Sequence, residues 1–93
     1  MAIRVLVVDD SAFMRQIITK MLQADPRVQV IGTAMDGQDG LDKVKALNPD
    51  VVTLDLEMPR MNGLECLKFI MAEHPCPVVI VSSLAKEGAE QTL

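Results

Sequence analysis

The sequence has 93 residues, a length that allows one domain. Its net charge is −4 at pH 7, its pI is near 4.7, and it holds no Trp, no Tyr and two Phe. Nucleic-acid binding is therefore not expected, because it needs a basic patch or aromatic stacking residues. No apolar run is long enough to cross a bilayer and no secretory signal opens the chain, so we expect a cytoplasmic protein without membrane insertion.

The first strand and helix are predicted from apolar patterning. The β-branched run 3–8 is typical of a strand buried on both faces. Ser11 is expected to cap a helix that ends at Asp25-Pro26. Its apolar residues recur at helical spacing: Phe13, Met14, Ile17, Ile18, Met21 and Leu22.

A second strand and helix follow. Val28, Val30 and Ile31 predict a strand that is less uniformly apolar and therefore suits a sheet edge. Asp36 precedes a helix that closes at Asn48-Pro49. This helix carries three apolar residues on one face: Leu41, Val44 and Leu47.

The last elements follow the same alternation. A third strand at 51–54 ends at Asp55, and a fourth at 78–81 ends at Ser82-Ser83. Between them, Met58-Pro59 and Asn62-Gly63 mark a loop before a helix. The helix residues expected to face inward are Leu64, Leu67, Ile70 and Met71. Residues 86–93 are expected to begin a fourth helix.

Strands that alternate with helices over short loops predict an α/β fold, an open parallel sheet with helices on both faces. Cys66 and Cys76 lack the spacing of a metal site and are interpreted as small hydrophobic residues. His74 is interpreted as a polar residue near a helix C-terminus.

Carboxylates follow two of the predicted strands at the end where parallel sheets bind ligands. Asp9 and Asp10 follow the first strand and Asp55 follows the third. Two such charges 4 Å apart repel by about 4 kcal/mol, so protons or a cation must offset them, and oxygen donors suit Mg²⁺. Each residue also has a structural interpretation: Asp10, Ser11 and Ser82-Ser83 as helix caps, Asp55 as a turn former.

Three motifs together resemble the receiver domain of two-component response regulators. They are Val7-Val8-Asp9-Asp10-Ser11, then Leu54-Asp55-Leu56-Glu57-Met58-Pro59 with Asn62-Gly63, and Ile80-Val81-Ser82-Ser83. Within that family, the run from Asp10 to Arg15, the segment from Asp55 to Leu64, and Ser82-Ser83-Leu84 with 87–90 are most similar to the N-terminal receiver of chemotaxis protein-glutamate methylesterases.

The resemblance implies a flavodoxin-like, doubly wound fold and a role for each matching residue. Asp55 would take a phosphoryl group from a chemotaxis histidine kinase, and Ser82 would hydrogen-bond that phosphate. Mg²⁺ would be held by Asp10, Asp55 and the backbone carbonyl of Glu57, with Asp9 reaching it through water. The side chain of Glu57 is expected to point outward.

The chain departs from the family pattern at its C-terminal end. Family receivers continue into a fifth strand and helix and a phosphate-pairing lysine, for which Lys86 is no substitute. We therefore expect residues 1–93 to be a C-terminally incomplete receiver without its output domain. In the parent protein the resemblance implies a C-terminal protein-glutamate methylesterase and glutamine deamidase, with chemoreceptors as indirect partners.

Two alternatives stay open. One is a receiver of a different response regulator, attached to a DNA-binding or other output domain or standing alone. An aspartyl-phosphate phosphohydrolase is the other alternative, because Glu57 stands two residues after Asp55 as the second acid of such enzymes does. No Gly-x-Ser-x-Gly motif and no phosphate-binding glycine loop occurs in the sequence.

Overall fold

The computed structural model describes residues 2–58 and 61–81. In chain order the elements are β1 (Ile3–Val8), α1 (Ala12–Gln23), β2 (Val28–Ala34), α2 (Gly37–Leu47), β3 (Val51–Leu54), α3 (Gly63–Glu73) and β4 (Val78–Ile80). The predicted α/β alternation is confirmed over this part of the chain. The predicted roles of Ser82-Ser83 and the helix at 86–93 lie outside the described residues.

All strand pairs are parallel and the strand order is β2-β1-β3-β4. The chain therefore moves from β1 to one neighbour, β2, and then crosses to the other neighbour, β3. The predicted edge position of the second strand is confirmed. β2 carries a register shift opposite Val5 and Leu6, where the pairing passes from Val30 to Gly32 and one extra residue bends the edge strand.

The sheet buries its two faces against different helices. Leu6 and Val8 of β1 belong to the main core cluster, which also takes in Leu41 and Val44 of α2 and Ile70 of α3. Because side chains alternate along a strand, the buried residues between them point to the opposite face, the side of α1. α2 and α3 therefore pack together on one face and α1 covers the other.

One expectation about helix burial was wrong. Leu64 and Met71, predicted to face inward from α3, are 58% and 43% exposed. The buried residues of that helix are Gly63, Cys66 and Ile70, so its packed face lies a fraction of a turn away from the predicted one. α1 is apolar at helical spacing yet contains no fully buried residue, and its Phe13 and Met21 are exposed.

Each helix starts with a side-chain cap. The side chains of Ser11, Asp36 and Asn62 accept hydrogen bonds from backbone N–H groups three residues further on, at 3.2, 2.8 and 2.9 Å. These bonds satisfy donors that have no partner inside the helix. The predicted starts at Ser11 and Asp36 are confirmed.

Cys66 lies where α3 packs against α2. Its side chain is fully buried and its Sγ donates a hydrogen bond to the carbonyl oxygen of Gly37 at 3.4 Å. Burial, with a smaller contribution from the charge of Asp36, raises the pKa of the Cys66 thiol to about 11. Its interpretation as a small hydrophobic residue agrees with this position. Cys76 is half-buried.

The described helices are at most 12 residues long. None of them has the length and apolar character to cross a membrane.

Candidate functional site: an acidic cluster at the ends of β1 and β3

The site forms where two neighbouring strands end. β1 and β3 pair in parallel up to Val8 and Leu54, so the residues that follow them leave the sheet side by side. The backbone N–H of Asp9 donates to Ala34 O at 3.1 Å, and that of Asp55 donates to Val8 O at 3.0 Å. These bonds hold both turns against the sheet edge at the point where strand order reverses, which is where open α/β sheets bind ligands.

The carboxylates of Asp9, Asp10 and Asp55 form an acidic cluster. One oxygen from each lies within 4.8 Å of the others. Asp9 and Asp55 are buried, whereas Asp10 is exposed. The cluster therefore has a buried floor of two carboxylates and an opening to solvent beside the third.

Desolvation and mutual repulsion in the cluster both act on Asp10. Its pKa is raised above the ordinary value first by desolvation, then by the charges of Asp55 and Asp9 and by a side-chain hydrogen bond with Asp55. Like charges disfavour the ionised form of a carboxyl group. A cation in the cluster would reverse that effect, because it favours the ionised form of each neighbour.

Glu57 and Gly63, on the two described sides of the segment between β3 and α3, both lie close to the Asp55–Leu56 turn. The N–H of Glu57 donates to Asp55 Oδ1 at 3.2 Å, and the N–H of Gly63 donates to Leu56 O at 2.9 Å. A Cβ atom at Gly63 would lie 2.5 Å from Leu56 Cα and would also overlap the carbonyl oxygen of Asp55. Only glycine permits so close an approach of the α3 N-terminus to this turn.

The predicted site residues are thus partly brought together. Asp9, Asp10 and Asp55 converge as expected, and Glu57 has an exposed side chain with its backbone in the loop beside Asp55. Ser82 lies outside the described residues.

Two contributors to the local structure were missed by sequence reasoning. Gly63 was interpreted only as part of a loop marker, and Arg15 only as part of a family motif. The Arg15 guanidinium donates to the carbonyl oxygen of Asp9 at 2.7 Å. Neither contact has a pattern in the sequence that would have revealed it, because each depends on how the chain folds back.

The donor set of the cluster suits a hard divalent cation. Carboxylate oxygens are the ligands that Mg²⁺ and Ca²⁺ prefer, and the ligand oxygens of one Mg²⁺ are at most about 4 Å apart. The observed spacing is close to that limit, so one of the three carboxylates is better placed to reach a small ion through water. The acidic cluster is therefore able to hold a metal ion.

Comparison with known proteins agrees with this geometry. A family model described as the response regulator receiver domain matches residues 5–93. A protein-glutamate methylesterase/protein-glutamine glutaminase of Halalkalibacterium halodurans is 63% identical over 91 residues, which are 98% of this chain and 26% of that protein. The chain therefore spans about a quarter of the length of that relative.

Solved structures give the same result. The response regulator domain of CheB from Thermotoga maritima is 50% identical, with a TM-score of 0.88 over 99% of this chain and 69% of that one. A chain of the CheX-CheY-BeF3-Mg²⁺ complex from Borrelia burgdorferi is 37% identical, with a TM-score of 0.80 over 95% of this chain and 67% of that one. With sequence, strand order and structure in agreement, the chain belongs to the response regulator receiver domain family.

Proposed function

We propose that Asp55 accepts a phosphoryl group and that the acidic cluster holds the Mg²⁺ that this reaction needs. The observation that carries the proposal is the convergence of Asp9, Asp10 and Asp55 at the ends of two adjacent strands. Desolvation, followed by the charges of Asp55 and Asp9, raises the pKa of Asp10, and a bound cation would oppose the effect of those charges.

The residues of the chain orient the reacting carboxylate. The N–H of Glu57 holds Asp55 Oδ1, which fixes the plane of the Asp55 carboxylate at the base of the cluster. In the transfer, an Asp55 oxygen forms a bond to phosphorus and the donor's N–P bond breaks. The imidazole nitrogen keeps the electron pair, and Asp55 becomes an acyl phosphate.

Four residues form the proposed set of Mg²⁺ ligands. Asp10 and Asp55 bind the ion directly, the carbonyl oxygen of Glu57 is a third ligand, and Asp9 reaches it through water. When bound, Mg²⁺ offsets the negative charge of the transferring phosphoryl group. Ser82 is proposed to hydrogen-bond the phosphate and so to link phosphorylation to a change in the following segment.

We further propose the partners of the reaction. The donor is a histidine kinase of a chemotaxis system in the cytoplasm. The regulated output is a C-terminal methylesterase and glutaminase in the parent protein, with chemoreceptors as its indirect targets. The name and greater length of the Halalkalibacterium halodurans relative support this output, as does the likeness to the response regulator domain of a CheB protein.

The test is to incubate the chain with Mg²⁺ and a small phosphodonor and to measure intact mass. We expect one added phosphoryl group, and borohydride reduction of the acyl phosphate should locate it at Asp55. Asp55→Asn should abolish the addition. Asp42→Asn, which removes an exposed carboxylate on α2, should leave it unchanged.

The result that contradicts the proposal is retained phosphorylation in Asp55→Asn, or phosphorylation that is indifferent to chelation of Mg²⁺. Repeated turnover of a simple phosphate ester would favour the phosphohydrolase alternative. That reaction needs a second acid at the nucleophile, and the exposed side chain of Glu57 gives it no support.

A further inference from the structure

Arg15 connects α1 to the turn that carries two of the three clustered carboxylates. It is half-buried in the first turns of α1, and its Nη1 donates to the carbonyl oxygen of Asp9 at 2.7 Å. The bond spans six residues and runs from a charged donor to a neutral acceptor, which makes it stronger than an ordinary neutral hydrogen bond.

This bond joins two other described hydrogen bonds that hold Asp9. The backbone N–H of Asp9 donates to Ala34 O at 3.1 Å, and Asp9 Oδ1 accepts from the N–H of Ser11 at 2.9 Å. The contact from Arg15 adds the carbonyl group. Because a peptide unit is planar, fixing this carbonyl also fixes the N–H and Cα of the next residue, Asp10.

Asp10 needs such a constraint more than its neighbours do. It is the exposed member of the cluster, and its carboxylate oxygen lies within 4.8 Å of those of Asp9 and Asp55, a distance at which like charges repel. Without a fixed backbone, that repulsion would be relieved by a rotation of the turn that moves the Asp10 carboxylate away from the other two. The Arg15 bond opposes this rotation from the side of α1.

We infer that Arg15 is a positioning residue for the metal site: it holds the Asp9–Asp10 peptide so that both carboxylates face Asp55. The inference rests on the proposed function, because the site that Arg15 positions is the proposed Mg²⁺ site. Arg15 does not touch the metal itself. Its effect passes through the backbone of the β1–α1 turn.

A competing explanation is that Arg15 acts only through its charge. The same helix offers a matched control for this. Arg15 and Lys20 both line an open groove of about 550 Å³ beside α1, with Gln16, Thr19 and Thr33. Replacing either residue by Ala removes one positive charge from this face, but only Arg15 makes a described hydrogen bond to the Asp9 carbonyl.

The first experiment measures Mg²⁺ affinity by isothermal titration calorimetry for the whole chain and its variants. We expect Arg15→Ala to weaken binding about 10-fold, the lower end of the effect of residues that orient metal ligands. Lys20→Ala should change it less than about 2-fold, and Arg15→Lys, which keeps the charge but not the guanidinium geometry, should behave like Arg15→Ala. Charge alone would make both Ala variants bind Mg²⁺ more tightly, because each loses a positive charge that repels the ion. Unchanged or tighter binding in Arg15→Ala, an equal loss in Lys20→Ala, or full affinity in Arg15→Lys would overturn the positioning role.

The second experiment needs no metal. Amide hydrogen exchange at Ser11 and Asp10, measured by NMR with chelator present, should speed up in Arg15→Ala by more than any change in exchange across β1. In Lys20→Ala the exchange rates at Ser11 and Asp10 should equal those of the wild-type chain. Unchanged exchange in Arg15→Ala would refute the positioning of the turn by Arg15. Wild-type chain that binds no Mg²⁺ would refute the proposed function instead, and the exchange result would still decide whether Arg15 holds the turn.

Discussion

Asp10 contributes to the response of the metal-free chain to pH. Its folded-state pKa is raised by desolvation and by the charges of Asp55 and Asp9. Between the unfolded value near 3.8 and that raised value, the folded state binds more protons than the unfolded state. This group therefore lowers stability as pH rises through that window, and the loss persists at neutral pH.

Asp10→Asn should accordingly stabilise the chain at pH 7 in the presence of chelator. The gain should stay below about 1 kcal/mol, because the side chain is exposed and solvent screens its charge. This gain in stability should shrink as pH falls toward 4, because the Asp10 carboxyl group is then increasingly protonated in the folded chain. Urea unfolding at several pH values checks this, with Asp42→Asn as the control; a gain that is equal in both variants would contradict the assignment to the cluster.

Gly63 is the residue on which the shape of the site depends most directly. Gly63→Ala would place a Cβ against the backbone of Leu56, which cannot yield as a side chain can. We expect a loss of about 3 kcal/mol, the upper end for an overpacked position, together with weaker Mg²⁺ binding. Thermal melts and calorimetry measure the two effects.

Gly40→Ala is the matched control for that substitution. Its Cβ would meet the side chain of Val8 at 3.1 Å, and Ala favours the helix interior. We expect a smaller loss of stability and unchanged Mg²⁺ affinity. Equal effects of the two glycine substitutions on Mg²⁺ binding would contradict a specific role for Gly63.

At the scale of elements, the C-terminal end of α2 is held by β1 at the far end of the sheet from the acidic cluster. Arg4 donates from Nη2 to Leu47 O and from Nη1 to Asn48 O, both at 2.7 Å. Asn48 ends the helix in the left-handed conformation, with φ of 49°. The arginine thus satisfies carbonyls that have no partner within the helix.

Arg4→Ala tests whether stability and site function are separable. We expect a loss of about 2 kcal/mol, since two charge-assisted hydrogen bonds are removed, with unchanged Mg²⁺ affinity because the cluster lies at the opposite end of the strands. Arg27→Ala removes an exposed ion pair with Asp25, and we expect it to lower stability by less than Arg4→Ala does. A drop in Mg²⁺ affinity in Arg4→Ala would show that the two ends of the sheet are coupled.

Element boundaries were predictable to the extent that local chemistry sets them. Caps at Ser11 and Asp36 and the stop at Asn48-Pro49 depend on neighbouring residues, and the structure has them where expected. Burial on α3 was not predictable from the helix alone. An apolar residue such as Leu64 or Met71 shows which faces are able to pack, whereas the position of α2 and the sheet decides which face does.

At the scale of the molecule, the sequence indicated the site because strand ends collect residues that are distant in the chain. Asp9 and Asp55 are brought together by the order β2-β1-β3-β4. Alternation of strands and helices does not set that order, and the flavodoxin-like fold implied by the resemblance does. The Arg15 contact and the tight approach of Gly63 were not predictable in this way. They depend on side-chain reach and backbone clearance, which periodicity does not encode.

Metal binding should stabilise the whole domain. A ligand that binds only the folded state adds about 2.7 kcal/mol at a concentration of 100 times its Kd. We expect Mg²⁺ to raise the melting temperature of the wild-type chain and chelator to reverse the rise. Asp10→Asn should lose most of the shift and Asp42→Asn should keep it. A shift that is equal in both variants would place the ion outside the acidic cluster.

The buried thiol of Cys66, at the contact between α2 and α3, can report when these two helices separate. Only the thiolate reacts with disulfide reagents, and Cys66 is enclosed with a pKa of about 11. Half-buried Cys76 should therefore be labelled first, and Cys66 only when α2 separates from α3. The chain has no Trp or Tyr to serve as a fluorescent probe. The rate of the slow labelling phase of Cys66 therefore measures how often α2 separates from α3. Mg²⁺ bound at the acidic cluster, which lies near the N-terminal end of α3 that carries Cys66, should slow that separation.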